Sequence, residues 1–303
     1  MNLGIDPRLQ PLLQQKKTPA RQLTIEEFRK GAQLLMPLAG PLEDVERVEN
    51  CVVPKEDGDV LVRFYYPSKD KGLPILLVFH PGGYVRGDLE TYDPVCRQIA
   101  NASNYLVVAV NYSLAPERKF PTPLEEGSFV LNWVFDNAKE LGGDPNRISL
   151  YGESSGGNLA ASLAHVTRDR QGPKLQHQIL VYPQLDYTNS FPSHSEFSTG
   201  YLLEEDAIEY YASLFLPEGQ DCKDPLLSPY YQNNFKGLPN ALIITAEFDP
   251  LRDEGEAYAL KLQQAGAHTE VKRFDGMVHG FMQMADIVGK EGIECVGRAL
   301  HGA

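Results

Sequence analysis

Apolar residues along the chain form short continuous runs, and each run is followed by a longer polar and apolar mixture. A continuous apolar run such as Ile75–Phe79 is typical of a strand that is buried on both faces of a sheet. Thr269–Phe274 instead alternates between apolar and polar residues, as a strand nearer the sheet edge does. The runs that predict strands are Leu61–Tyr66, Ile75–Phe79, Leu106–Val110, Ile148–Tyr151, Ile179–Tyr182, Ala241–Ala246 and Thr269–Phe274.

Segments with helical spacing lie between these runs. They are Tyr92–Asn101, Leu124–Leu141, Gly156–Arg170, Asp253–Gln264 and Gln283–Leu300. Strands that alternate with helices of this length indicate βαβ units. The sequence therefore predicts an α/β fold, with a mostly parallel central sheet flanked by helices.

Two regions do not follow this alternation and supply no good central strand. They are residues 1–45 and residues 186–232, and the second contains a helical pattern near Glu204–Phe215. We expect the two regions to come together as a helical cap above the sheet, although each could instead be a separate surface decoration. The catalytic core then consists of residues 46–185 and 233–303.

The composition of the chain limits the kinds of molecule that we expect it to bind. The chain has 303 residues, 42% of them hydrophobic, and a formal net charge of −13. An acidic surface repels phosphate backbones and anionic lipid heads, so we expect neither nucleic acid nor membrane as a partner. No apolar stretch approaches the ~18 residues of a transmembrane helix, and we expect no stable membrane insertion.

Cysteine usage and the first residues favour a cytoplasmic location. The four cysteines are widely spread and form no CxxC pair, which predicts reduced thiols rather than a metal finger or a disulfide framework. Asp6 and Arg8 interrupt the start of the chain before the apolar region of a secretory signal could form.

A G-x-S-x-G motif supplies the candidate nucleophile. Gly152-Glu153-Ser154-Ser155-Gly156 follows a predicted strand and opens a predicted helix, which is the context that a nucleophilic serine on a sharp turn requires. Ser154 has glycine two positions before and after it, whereas Ser155 has Glu153 two positions before it. The motif thus favours Ser154 as nucleophile and the N–H of Ser155 as an oxyanion donor. A glycine-rich turn that binds phosphate is the competing interpretation.

A second glycine-rich loop follows the strand Ile75–Phe79. It reads His80-Pro81-Gly82-Gly83, and the N–H groups of Gly82 and Gly83 are predicted oxyanion donors. Pro81 has no N–H. We expect His80 to orient this loop rather than to act as the base. A plain strand-to-helix turn is the alternative.

A serine nucleophile needs a histidine base and a carboxylate that orients it, in the chain order Ser, Asp or Glu, His. His279 is favoured because it follows the predicted strand Thr269–Phe274 at the carboxyl edge of the sheet. Asp249 follows the preceding strand and is the preferred carboxylate. Glu247 and Asp253 compete with it, and Asp253 is better suited to cap the next helix. The histidines judged unsuitable as the base are His80, His165, His177, His194, His268 and His301.

Five motifs in order resemble the hormone-sensitive-lipase-like carboxylesterases of the α/β-hydrolase fold, over about residues 50 to 285. These motifs are HPGGYVRGD, NYSLAPERKFP, GGDPNRISLYGESSGGNLAA, DPLRDEG and HGF. The resemblance implies a triad of Ser154, Asp249 and His279, with a cap that shapes the acyl and alcohol pockets. It also implies that Gly82, Gly83 and Ser155 donate to the oxyanion.

The chain departs from that family at four positions. Pro81 replaces a glycine, Ser113 an arginine, Glu153 an aspartate and Ser155 an alanine. Glu153 and His80 are expected to support the site from behind, and any ion pair made by the arginine is missing. The chemistry needs no metal and no cofactor, and we expect none.

The predicted activity is hydrolysis of carboxylic esters with short- to medium-chain acyl groups, through an acyl-enzyme intermediate. The partner is then a small-molecule ester, and a homodimer is left open. An amidase, formamidase or peptidase would use the same triad. A non-catalytic receptor, similar to the plant gibberellin receptors, is disfavoured because such receptors typically lose the histidine that His279 represents here.

Overall fold

A single eight-stranded sheet forms the centre of the computed structural model, which describes residues 4–15 and 18–301. The strands lie side by side in the order β1-β2-β4-β3-β5-β6-β7-β8. Every run that was predicted as a strand falls on one of them, although several strands extend two to five residues beyond the predicted run. Their bounds are β1 Arg47–Val53, β2 Val60–Tyr66, β3 Leu73–Phe79, β4 Leu106–Asn111, β5 Gly143–Glu153, β6 Leu175–Val181, β7 Asn240–Phe248 and β8 Thr269–Val278.

The sheet is mostly parallel, as predicted. Only the β1–β2 and β2–β4 pairs are antiparallel, and the other five neighbouring pairs are parallel. The carboxyl ends of the parallel strands therefore meet at one edge of the sheet, where side chains from distant parts of the chain can converge.

Helices cover both faces of the sheet. Ile75 and Leu77 of β3 belong to a buried apolar cluster on one face, and Leu76 and Val78 belong to a second cluster on the other. A strand buried on both sides explains why this run is continuously apolar. The α-helices are α1 Gln10–Leu13, α2 Ile25–Lys30, α3 Asp93–Ser103, α4 Thr122–Asn137, α5 Ser155–Asp169, α6 Pro192–Glu196, α7 Glu205–Phe215, α8 Arg252–Gln264 and α9 Lys290–His301.

Two details of the sequence prediction were wrong. The antiparallel strand β1 was not predicted, because its apolar positions are interrupted by charged ones and it lies at the sheet edge. The helix predicted over Gln283–Leu300 is broken at its start. A π-helix occupies Ala285–Gly289, where three successive N–H groups donate to the carbonyl of Met284, and α9 begins only at Lys290.

The region before β1 contacts the inserted region, residues 186–232, which contains α7. The ring of Phe28 in α2 lies 5.2 Å from the ring of Tyr210 and 5.1 Å from that of Tyr211. Arg21 pairs with Glu209 at 3.1 Å on the surface. The part of the cap prediction that falls on residues 1–3 and 16–17, and of the core prediction on 302–303, lies outside the described residues.

Candidate active site

Ser154 lies on a sharp turn between β5 and α5. Its φ of 54° and ψ of −118° place it in a backbone conformation that side-chain-bearing residues rarely adopt. The turn is held by the N–H of Ser154, which donates to the carbonyl of Val181 at 2.9 Å, and by the N–H of Asn158, which donates to the carbonyl of Ser154 at 3.0 Å. The strain is thus imposed by the surrounding backbone, and it presents the serine at the carboxyl edge of the sheet.

The two glycines of the motif permit this turn because no side chain fits at either position. A Cβ at Gly152 would lie 2.0 Å from the carbonyl oxygen of Gly156. A Cβ at Gly156 would lie 2.1 Å from the carbonyl oxygen of Phe79, at the end of β3. The spacing that identified Ser154 in the sequence therefore has a steric cause, since backbone segments cross at both positions.

His279 faces Ser154 from the end of β8. Its Nε2 lies 2.9 Å from the Oγ of Ser154, and its Nδ1 lies 2.8 Å from Oδ2 of Asp249. A carboxylate only accepts hydrogen bonds, so Nδ1 carries the proton in this contact and Nε2 is left to accept from the serine hydroxyl. The three residues are joined in one hydrogen-bonded line, although they come from three separate stretches of sequence.

Asp249 is completely buried at the end of β7. Its Oδ1 accepts the N–H of Leu251 at 2.9 Å, which fixes the carboxylate and directs Oδ2 at the imidazole. Neither competitor reaches His279: Glu247 accepts the N–H of Gly276, and Asp253 accepts the N–H of Ser193. Of the three carboxylates considered from the sequence, Asp249 is the one that the fold brings to the histidine.

Asp253 was expected to cap α8, and that prediction was wrong. The helix begins at Arg252, and its N-cap residue is Leu251, which makes no side-chain cap hydrogen bond. Asp253 lies inside the first turn, where its carboxylate binds the N–H of Ser193 and pairs with Arg252 at 2.8 Å. It therefore ties α8 to the start of α6 instead of closing its own helix.

The loop after β3 brings Gly82 and Gly83 beside the nucleophile turn. Both glycines have positive φ, +128° and +65°, which is a conformation that favours glycine. A Cβ at Gly83 would lie 2.2 Å from the ring of Tyr211 in α7, so the inserted region closes directly over this loop. The N–H of Gly83 donates to the side-chain Oγ of Ser155 at 2.9 Å.

His80 is buried behind the same loop. Its ring stacks on that of Tyr112, with 4.2 Å between ring centroids, and its Nδ1 lies 2.8 Å from the carbonyl oxygen of Pro81. Burial lowers the pKa of His80 to about 4, so the ring is neutral and Nδ1 donates to that carbonyl. The contact holds the first residues of the loop, as the sequence predicted, and His80 makes no contact with Ser154.

Glu153 anchors a buried cluster of tyrosines that sequence reasoning missed. Its carboxylate accepts hydrogen bonds from Tyr92, from Tyr151 at 2.8 Å and from Tyr182 at 2.7 Å. The ring of Tyr182 lies 4.6 Å from the imidazole of His279. Burial raises the pKa of Glu153, and the three hydroxyls act against that rise by donating to the carboxylate. Only Tyr151 could have been found from the sequence, because it shares a strand face with Glu153.

Ser113, which stands where the resembled family has an arginine, binds a buried carboxylate. Its hydroxyl and its N–H donate to the two carboxylate oxygens of Glu126, at 2.6 and 2.7 Å. Glu126 is only 7% exposed and lies in α4. Among residues 4–15 and 18–301, Glu126 is thus hydrogen-bonded by Ser113 and forms no ion pair.

Residues 4–15 and 18–301 contain neither a metal-binding cluster nor a membrane-spanning helix. No group of three or more His, Cys, Asp or Glu side chains in this part of the chain is arranged to hold a metal ion. Within the same residues, no helix has both the length and the apolar character needed to cross a membrane.

Comparisons with known proteins identify the family of the chain. A family model described as the alpha/beta hydrolase fold matches residues 76–283. The carboxylesterase NlhH of Mycobacterium tuberculosis is 39% identical over 254 residues, which cover 80% of this chain and 79% of that protein. A protein of Pseudomonas putida named ethyl acetate hydrolase is 34% identical over 296 residues, covering 94% and 92% of the two chains.

Solved structures extend the similarity to nearly the whole chain. An esterase from Pyrobaculum calidifontis superposes with a TM-score of 0.92 at 36% identity, covering 98% of each chain. The relatives named here are esterases, carboxylesterases or ester hydrolases, which supports the predicted enzyme class, a carboxylesterase of the serine hydrolase type. The resemblance drawn from five sequence motifs is thus confirmed, and the chain belongs to the family of carboxylesterases with the α/β-hydrolase fold.

Proposed function

We propose that Ser154, His279 and Asp249 hydrolyse carboxylic esters with short- to medium-chain acyl groups through an acyl-enzyme. His279 takes the proton of Ser154 as the hydroxyl attacks the ester carbonyl, and returns it to the departing alcohol. Water, activated by the same imidazole, then releases the acid. The observation that carries this proposal is the line of contacts at 2.9 and 2.8 Å through the two nitrogens of His279.

The N–H groups of Gly82, Gly83 and Ser155 stabilise the tetrahedral intermediate in this proposal. Ser155 is the first residue of α5, so its N–H has no partner within the helix and lies at the positive end of the helix dipole. His80 and Glu153 support this arrangement from behind, the first through Pro81 and the second through Tyr182.

A preference for small acyl groups follows from the aromatic residues around the glycine loop. Tyr211 of α7 lies against Gly83, and the ring of Tyr84 stacks on Phe215 with 4.0 Å between centroids. These side chains are buried, and we infer that they limit the length of the acyl group that the loop accepts. We assign residues 1–45 and 186–232 to a cap that limits the acyl pocket in this way, with 46–185 and 233–303 as the catalytic core.

The proposal also covers the ligand, the partners and the cellular location. The ligand is a small-molecule ester, with no nucleic acid or membrane partner, and a homodimer is left open. A cytoplasmic location is supported by the four cysteines Cys51, Cys96, Cys222 and Cys295, all of which are unpaired thiols.

The test compares Ser154→Ala with Ser162→Ala on p-nitrophenyl acetate and butyrate. Loss of the nucleophile should lower kcat by on the order of 10⁶, whereas Ser162 is a buried serine of α5 whose hydroxyl makes no hydrogen bond. Its alanine variant should retain full activity. Hydrolysis by the Ser154 variant at the wild-type rate would refute the nucleophile assignment.

Substrate class is decided by measuring the same variants on esters of increasing acyl length beside matching anilides. We expect kcat/KM to fall beyond medium-length acyl chains and to be far lower for the amides. Faster cleavage of the anilides would contradict the esterase proposal in favour of an amidase, while leaving the triad in place.

A further inference from the structure

One of the three proposed oxyanion donors is already engaged in the resting protein. The N–H of Gly83 donates to the hydroxyl of Ser155 at 2.9 Å. Among residues 4–15 and 18–301, no hydrogen bond joins the N–H of Gly82 or of Ser155 to another protein group. The motif of the resembled family has alanine where this chain has Ser155, so a protein with that motif lacks the competing hydroxyl.

The side chain of Ser155 is completely buried, so its hydroxyl is held in place by the packing around it. A hydroxyl carries one proton and two lone pairs, so Oγ of Ser155 accepts from the N–H of Gly83 while its own proton points elsewhere.

The contact between Gly83 and Ser155 joins the glycine loop to the nucleophile turn. The Gly83 N–H is thereby directed towards Ser155 before any substrate arrives.

We propose that the Ser155 hydroxyl is a positioning group that competes with the reacting carbonyl for the Gly83 N–H. The inference rests on the proposed function. Hydrogen bonds to a charged acceptor are roughly twice as strong as neutral ones, so the oxyanion takes the N–H over as charge develops. The transition state then gives up one neutral hydrogen bond that the resting enzyme makes, and the reaction is slowed by that amount.

Ser155→Ala should therefore raise kcat/KM for p-nitrophenyl butyrate. A neutral hydrogen bond of ordinary strength corresponds to a gain of about three- to tenfold. The same variant should bind an alkyl trifluoromethyl ketone more tightly by the same factor, because its adduct with the serine carries an oxyanion. Inhibition by butyrate, the product acid, should change less than the ketone affinity. A merely structural role for the hydroxyl would not produce this difference.

Two further variants keep the test decisive. Ser162→Ala removes another buried hydroxyl of α5 and should change neither rate nor ketone affinity. Ser155→Cys places sulfur where the hydroxyl oxygen was, and sulfur is a weaker hydrogen-bond acceptor. Its kcat/KM should therefore lie between the values of the wild type and of Ser155→Ala. Should the alanine variant fold poorly in a thermal melt, the cysteine variant decides in its place.

The outcomes separate this inference from the proposed function. A wild-type protein that hydrolyses no ester overturns the proposed function and this inference with it. An active wild type with an unchanged or slower Ser155→Ala variant overturns only the competition, and shows instead that the hydroxyl helps to organise the loop.

Discussion

Replacing Asp249 by asparagine should disable His279 by reversing its tautomer. The two carboxylate oxygens have different partners: Oδ1 accepts the N–H of Leu251 and Oδ2 faces Nδ1 of His279. In the variant, the amide oxygen keeps the contact with Leu251, so the NH₂ group is turned towards the imidazole. Nδ1 must then accept, Nε2 carries the proton, and the nitrogen that faces Ser154 can no longer act as a base.

The expected loss of kcat in the Asp249→Asn variant can be estimated from the same contacts. Flipping the amide restores the reactive tautomer, but it leaves the buried N–H of Leu251 unpaired at a cost of about 1–3 kcal/mol. Losing the charged partner of the imidazolium costs about 1.5–3 kcal/mol more, from the strength of hydrogen bonds to charged groups. With one factor of ten for each ~1.4 kcal/mol, kcat should fall by about 10²- to 10⁴-fold.

The matched control is Asp253→Asn, which makes the same chemical change four residues later in a carboxylate that does not contact His279. Steady-state hydrolysis of p-nitrophenyl butyrate is measured for both variants, with circular dichroism to check folding. We expect the Asp253 variant to stay within about threefold of wild type, as a change remote from the chemistry should. Loss in the control comparable to that of Asp249→Asn, or retention of more than a tenth of the activity by the latter, would refute the tautomer argument.

Two predictions concern stability. Gly156→Ala places a Cβ 2.1 Å from the carbonyl oxygen of Phe79, so we expect urea unfolding to show a loss of about 3 kcal/mol, and an unchanged midpoint would contradict the steric account. Burial lowers the pKa of His165 to about 3, so the folded protein binds fewer protons there than the unfolded chain does, and stability is present above about pH 6.5 and lost as pH falls towards 3. His165→Gln should reduce the slope of unfolding free energy between pH 4 and 6 by about 1.4 kcal/mol per pH unit, and an identical slope in both proteins would show that the histidine is not responsible.

Most strands of the sheet could be predicted because burial leaves a strong pattern in the sequence. Runs such as Ile75–Phe79 are apolar throughout because both faces of β3 are covered. β1 escaped prediction because it is an edge strand whose charged residues face solvent. The interruption before α9 also escaped, since it depends on three N–H groups converging on Met284, which no periodicity records.

Some residues of the candidate site could also be predicted from the sequence, and others could not. Ser154 could be identified because glycine is the only residue that fits where backbone segments cross, and His279 because it follows a strand at the productive edge. Contacts between side chains from separate elements leave no such trace. The hydrogen bond of Tyr182 to Glu153 and the donation of Gly83 to Ser155 depend on tertiary packing, so they could be recognised only in three dimensions.

The line of contacts through His279 also has a consequence for synthesis on the ribosome. Ser154 and His279 are 125 positions apart, and the base comes second. At about 5–20 residues per second, the nucleophile leaves the peptidyl transferase centre roughly 6–25 s before its base. A nascent chain that ends before β8 therefore carries a serine with no group to remove its proton. If the proposed triad is correct, the order of translation leaves the enzyme inactive until the residue after β8 has been added.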